Sequence, residues 1–320
     1  MNEEGIGGYF DLELFKGEHY HKDAIRLNTA RNCFEYILRV RKYKKVYIPY
    51  YTCDVLLEPL LKLEVSFEFY HINEQLEPIK DIELKAGEAF LYTNYFGLKQ
   101  NTVKRLSSIY NERLIIDNAQ AFYAKPINGI DTFYSARKFF GVPDGAYLYT
   151  NKTLDITDLD VSYHRMNHLI KRIDVGAEEG YKDFQNNEKS LIGQPIRKMS
   201  KLTEALLSSI DYSKAKEQRQ SNYMFLNQKL SGGNNFQFSL DKNEVPMSYL
   251  YYSEDLALKS RLIDNKIYVP TYWPNVLNWL KPGFIESELV NKLICLPLDQ
   301  RYDKSEMEKI INIINLAHDE

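Results

Sequence analysis

Three groups of residues have the types and spacing to do chemistry. Asp117 follows the apolar run Leu114–Ile116 in LIIDNAQAF. That run would deliver a carboxylate to a strand end, where a buried charge needs a partner. The same position suits a helix cap or a turn, and Gln120 lies three residues on. Lys138 sits in FYSARKFFGVPDGAY, three residues after Ser135. It can be an ordinary surface lysine, or an amine in an apolar, electropositive site with its charge disfavoured and its nucleophilicity raised. The third group is LNTARNCF at 27–34. Asn28 or Thr29 can cap the helix that follows, and a capped helix start with free N–H groups is also an anion site.

The segments around these residues alternate between strand and helix patterns. Residues 30–42 read as a helix, 46–52 as a strand, 53–63 as a helix carrying Pro59, and 65–72 and 88–96 as strands. A helix at 101–112 precedes a buried strand in 113–122, then strands at 131–136 and 145–150 flank a loop. Such β/α alternation predicts an α/β domain with a mainly parallel sheet, whose ligands bind at the carboxyl ends of the strands. Thr52, Asn94, Asp117 and the loop after Phe133 fall there. Residues 160–206 are charged and mostly helical, interrupted by Pro195, and 200–230 carry a long helical pattern. Beyond it come strands at 236–240, 245–252 and 267–273, with helices at 254–265 and 305–317, forming a smaller α+β unit. The expected division is a large domain over 1–205, with an N-terminal extension, and a small one over 206–320.

With 41 Lys+Arg against 44 Asp+Glu, the net charge of −3 excludes nucleic-acid binding through bulk positive charge. Hydrophobic content of 44% and charged content of 27% are those of a globular chain, not a disordered one. Three widely spaced cysteines, Cys33, Cys53 and Cys295, form neither a zinc motif nor a disulfide framework, so a reduced cytoplasmic setting and no metal are expected. The acidic opening MNEEGIGG lacks the apolar core of a signal peptide, and no run is long enough to span a bilayer. His164 and His168 lie one helical turn apart without a third ligand nearby, which suits surface or interface positions.

Taken together, the three groups resemble the fold-type-I pyridoxal 5′-phosphate (PLP) enzymes, and more narrowly the DegT/DnrJ-type sugar aminotransferases. Asn28-Thr29-Ala30-Arg31-Asn32 occupies the place of the family's first-helix motif, and Pro49-Tyr50-Tyr51-Thr52 that of its P-x-x-T segment. Asp117-Asn118-Ala119-Gln120 matches D-x-A-Q. The lysine stretch corresponds to Phe133 through Lys138 and on to Pro143-Asp144-Gly145-Ala146, with Lys138 placed 138 − 117 = 21 residues after Asp117. The resemblance implies that Lys138 carries the PLP aldehyde covalently and that Asp117 keeps the pyridine nitrogen protonated. It further implies that Gln120 contacts the 3′-oxygen, and that Thr29, the Ala30 amide and Ser135 bind the phosphate.

The sequence departs from the family pattern at three places. Five positions before Lys138 stands Phe133 instead of serine. Cys53 stands where an aromatic usually stacks on the ring, leaving Tyr51 or Tyr95 to cover it. The N-Y-R-M segment that reaches a partner's site aligns with Ile196-Arg197-Lys198-Met199, without its asparagine.

The implied reaction transfers an amino group from an amino acid, glutamate by resemblance, to a nucleotide-linked keto-sugar in amino-sugar or surface-polysaccharide biosynthesis. Lys138 moves the proton between Cα and the cofactor. A homodimer is implied as well. Two alternatives stay open: a PLP-fold protein with a binding or scaffold role, and another PLP reaction such as a lyase. Arg137, Arg197, Lys198 and Arg219 are candidates for substrate anions, although solvated helix surface is the commoner use of such residues; Arg219 with Asn222, at i, i+3 on one face, is expected outside the site.

Overall fold

The computed structural model describes residues 6–316. The acidic opening at 1–5 and the expected end of the last helix at 317 lie outside them. Seven strands form the main sheet: β1 (Ile25–Leu27), β2 (Lys45–Pro49), β3 (Ser66–Tyr70), β4 (Glu88–Thr93), β5 (Leu114–Asn118), β6 (Asp131–Ser135) and β7 (Ala146–Tyr149). Their order is β1-β7-β6-β5-β4-β2-β3. Pairs from β3 to β6 are parallel, while β7 runs antiparallel to both β6 and β1. The mainly parallel α/β sheet expected from the alternation is therefore present.

Strand periodicity sorts the sheet's side chains between two cores. Val46, Ile48, Ala89, Leu91, Ile115, Phe133, Ala146 and Leu148 face one side and pack with Cys33, Phe34, Ile37 and Leu38. Those four come from α1 (Ala30–Arg41). Tyr47, Phe90, Tyr92, Ile116, Tyr134 and Tyr147 face the other, larger core. On the α1 face, two residues beyond Leu91, Ile115 and Phe133, stand Thr93, Asp117 and Ser135. The same alternation that fills the core thus lines up three polar groups at the strand ends.

α1 is held at both ends. Thr29 is its N-cap, its hydroxyl accepting the Asn32 N–H at 3.2 Å. At the other end Arg41 makes a bidentate pair with fully buried Asp131 of β6, both contacts at 2.7 Å. Loss of one partner would strand a buried charge. Thr29→Ala is expected to lower stability by about 1 kcal/mol through loss of the cap, as read by urea unfolding of the apoprotein.

The remaining helices are α2 (Leu57–Lys62), α3 (Gln100–Tyr110), α4 (Asn167–Asp174), α5 (Ala177–Ser190), α6 (Lys201–Ser208) and α7 (Tyr212–Leu230). Pro59 falls in the first turn of α2, where no N–H is required. The long pattern at 200–230 is two helices, broken at Ser209–Asp211, where Asp211 caps α7 by accepting the Lys214 N–H. A two-stranded antiparallel sheet, β8 (Tyr249–Tyr252) with β9 (Leu293–Leu296), joins the larger core. Around it lie α8 (Leu258–Asp264), α9 (Val276–Trp279), α10 (Ile285–Lys292) and α11 (Lys304–Leu316).

Residues 236–240 and 267–273 are not strands. Their alternating aromatics pack singly: Phe236 against Phe238 and Tyr252, and Trp273 against Tyr51. Alternation there records burial without a ladder. No described helix is long and apolar enough to cross a membrane.

Candidate active site

A cleft opens where β4, β5 and β6 end and α1 begins. Thr29, Ala30, Thr93, Asp117, Gln120, Ser135 and Lys138 line it, together with Cys53. Of the residues expected from sequence to bind the cofactor, Tyr51 is not among them, and neither is the strand-end Asn94 or the alternative ring cover Tyr95. The Tyr51 ring is fully buried behind the wall, its hydroxyl donates to the Tyr272 carbonyl at 3.2 Å, and its edge meets Trp273 at 4.8 Å. Tyr95 is likewise buried and donates to the Tyr51 carbonyl. Two aromatics reach the cleft, Phe133 of β6 and Trp273, and sequence reasoning missed Trp273. It comes from a segment far away in the chain with no motif of its own. Arg31, Thr52, Phe133 and Glu188 also line the cleft; Thr52 carried a signal as a strand-end residue, and Glu188, on an exposed helix, carried none.

Asp117 is almost fully buried, and Oδ1 accepts the Ala119 N–H at 2.8 Å. Burial pushes its pKa up, while the Lys138 charge and that N–H pull the other way. Gln120 is fully buried. Its Oε1 accepts the Phe96 N–H at 3.1 Å, whereas Nε2 has no partner. An unpaired buried amide donor beside a cleft is costly unless a ligand completes it. Burial raises the Cys53 thiol pKa, again opposed by Lys138.

Lys138 lies in a short turn after β6 and is exposed. The desolvated amine considered from sequence is thus not created by the protein alone, because one side of the lysine faces the open cleft. Gly145, with φ +107°, brings β7 against α6, where a Cβ would lie 2.8 Å from the Thr203 methyl. Neighbouring Asp144 is no cleft residue: it is buried against Arg165 and the Thr203 hydroxyl.

The other basic candidates separate by position. Arg137 lines the cleft and pairs with Glu188. Arg197 turns to Asp160 and Gln194, and its backbone, with that of Met199, is hydrogen-bonded to Asn28 and Arg26 of the same chain. Neither Arg197 nor Lys198 is among the lining residues.

Arg219 corrects the surface reading of its helix. It is 2% exposed, bonding Gln300 and the carbonyls of Phe139, Pro246 and Met247. Asn222 is equally buried, bonding the carbonyls of Leu298 and Tyr302. α7 is enclosed by chain on the face that carries Arg219 and Asn222, so polarity at those two positions does not mark solvent. His164 is exposed and His168 half-buried. Among the described residues no group of His, Cys, Asp and Glu could hold a metal ion.

This architecture is that of the fold-type-I aminotransferases. A DegT/DnrJ/EryC1/StrS aminotransferase from Brucella abortus matches with a TM-score of 0.63 at 16% identity, over 93% of this chain and 86% of the other. The sugar aminotransferase CalS13 from Micromonospora echinospora matches at 0.63 and 12% identity, over 92% and 87%. Spr1654 from Streptococcus pneumoniae, in its PLP-form, matches at 0.61 and 16% identity, over 90% and 85%. The likeness is one of fold, carried across almost the whole chain. No family model and no curated protein matches the sequence.

Proposed function

We propose that the chain is a PLP-dependent aminotransferase acting on a keto-sugar, with an amino acid such as glutamate as donor. The observation that carries this is the convergence of Lys138, Asp117 and Gln120 on one cleft at the strand ends, with the Gln120 Nε2 buried and unpaired. The donor set fits the cofactor: an amine for its aldehyde, a buried carboxylate for its ring nitrogen, and an idle amide donor for its phenolic oxygen. Bound there, PLP supplies an electrophilic carbon and a ring that withdraws electrons from the donor's Cα.

The protein's own groups do the rest. Lys138 Nζ would hold the aldehyde, and as a free amine it would accept the proton lost from the donor's Cα. Asp117 holds a proton on the ring nitrogen. Thr29, the Ala30 N–H and the Ser135 hydroxyl meet the phosphate at the start of α1. Trp273 and Cys53 form apolar cover in the cleft wall. The sugar acceptor rests on the fold shared with sugar aminotransferases.

Titration with amino acids tests this. The PLP-loaded protein is expected to carry a visible band that glutamate bleaches and that keto-sugar restores. A colourless protein that PLP cannot load would favour the scaffold role instead, and bleaching without amino transfer would favour a lyase. Gln120→Leu is expected to weaken PLP binding about 10- to 100-fold, the worth of a hydrogen bond to a charged oxygen, measured by equilibrium titration of the apoprotein.

A homodimer accompanies this reading. Tyr163, Ile170, Ile173 and Tyr181 are exposed on and beside the α4–α5 hairpin, which also supplies Glu188 to the cleft. An active monomer in light scattering would contradict it.

A further inference from the structure

We propose that Arg137 is the cationic anchor for the cofactor's phosphate, an inference that rests on the PLP reading above. A phosphate monoester carries a charge of about −1.5 to −2 near neutral pH. A helix N-terminus offers the equivalent of about half a positive charge. The hydroxyls of Thr29 and Ser135 add none, and the cleft already contains the carboxylates of Asp117 and Glu188. A phosphate held only by these groups would lack at least one positive charge in a partly enclosed site.

Two guanidinium groups line the cleft, Arg31 and Arg137. Arg31 is committed to Glu58, whose other oxygen accepts the Gly193 N–H at 2.7 Å. Arg137 is differently placed. It follows Ser135 by two residues and precedes Lys138, so the turn that presents the amine presents the guanidinium too. Its side chain is 18% exposed, and its buried Nε has no partner. Among the described residues its ion pair is with Glu188, a half-exposed residue of α5 that also lines the cleft, and Asp144 lies near enough to favour its charge. An ion pair with a half-exposed carboxylate is weak and exchangeable. Burial pushes the guanidinium pKa down to about 10, opposed by Asp144 and helped by nearby Arg31 and Arg165, so it stays charged at neutral pH. A guanidinium that lines the same cleft as a helix N-terminus and a serine hydroxyl, with one N–H left unpaired, suits a tetrahedral anion with several acceptor oxygens.

The test compares PLP with pyridoxal, which has the aldehyde but no phosphate, on the apoprotein by absorbance titration. Arg137→Gln is expected to weaken PLP binding about 10- to 100-fold and to leave pyridoxal binding within about two-fold, because only the phosphate contact is lost. Glu188→Gln is expected to bind PLP as tightly as the parent or more so. Equal PLP affinity in Arg137→Gln and the parent overturns the proposal. So does an equal loss in Glu188→Gln, which would make the ion pair, not the guanidinium, the requirement. Should Arg137→Gln fail to fold by circular dichroism, Arg137→Lys replaces it, with a smaller loss of the preference for PLP over pyridoxal expected and an unchanged preference counting against the anchor. A parent protein that binds neither compound refutes the cofactor reading itself, an outcome distinct from all of these.

Discussion

Lys138→Ala protein mixed with PLP is expected to remain without the visible band of a lysine-bound aldehyde and to transfer amino groups about 10²- to 10⁴-fold more slowly, the range for loss of a positioned proton-transfer group. Lys138 is exposed, so its removal takes little from the core, and substitutions at such positions usually change stability by less than about 0.5 kcal/mol. Unfolding curves of the apoprotein should therefore overlay those of the parent while activity collapses. Lys138→Arg keeps the positive charge but not a nucleophilic amine, and is expected to fail equally. An alanine variant that keeps the band would place the covalent amine elsewhere.

Asp117→Asn is the second large effect. Replacing the carboxylate keeps the size of the side chain and removes the charge proposed to hold a proton on the ring nitrogen. Turnover of the PLP-loaded protein is expected to fall about 10²- to 10³-fold, as when one preorganised electrostatic group is lost. The apoprotein should respond in the opposite sense. Burial raises the folded-state pKa of Asp117 above its ordinary value of 3.8. Between the unfolded and folded values the native chain binds more protons than the unfolded one, so stability falls as pH rises through that window, and the full penalty persists at neutral pH. The asparagine variant has no such penalty. Apoprotein stability is therefore expected to be equal to or higher than the parent's at neutral pH, with the difference closing as the pH falls through the acid range. Urea unfolding at several pH values reads this directly. A variant less stable at neutral pH than in acid, relative to the parent, would contradict the assignment.

How much of this was legible in the sequence follows from the range of the interactions. The strand ending at Asp117 and the turn with Lys138 could be read because each lies within a short segment whose pattern is local. Thr29 was readable as a cap for the same reason. Trp273 was not, because its approach to the cleft depends on Tyr51 and Tyr95 filling the space behind it. The strands expected at 236–240 and 267–273 failed because aromatic alternation is satisfied by burial against neighbouring rings as well as by pairing. The break at Ser209–Asp211 fell between two helix-forming stretches, and only the Asp211 cap marks it. Arg219 and Asn222 misled in the opposite direction: their polarity suggested solvent, but their partners are carbonyls more than 75 residues away in several cases.

The Arg219 contacts have a bearing on how the molecule can be disabled. The carbonyl of Phe139, one peptide after Lys138, accepts hydrogen bonds from Arg219 and from Gln300, and the Phe139 ring lies 4.5 Å under the same guanidinium. The turn that carries the amine is thereby tethered by α7 and by the chain ahead of α11, neither of which lines the cleft. Loosening α7 or the chain ahead of α11 would let the turn that carries Lys138 shift while the strand ends and the start of α1 that line the cleft keep their places.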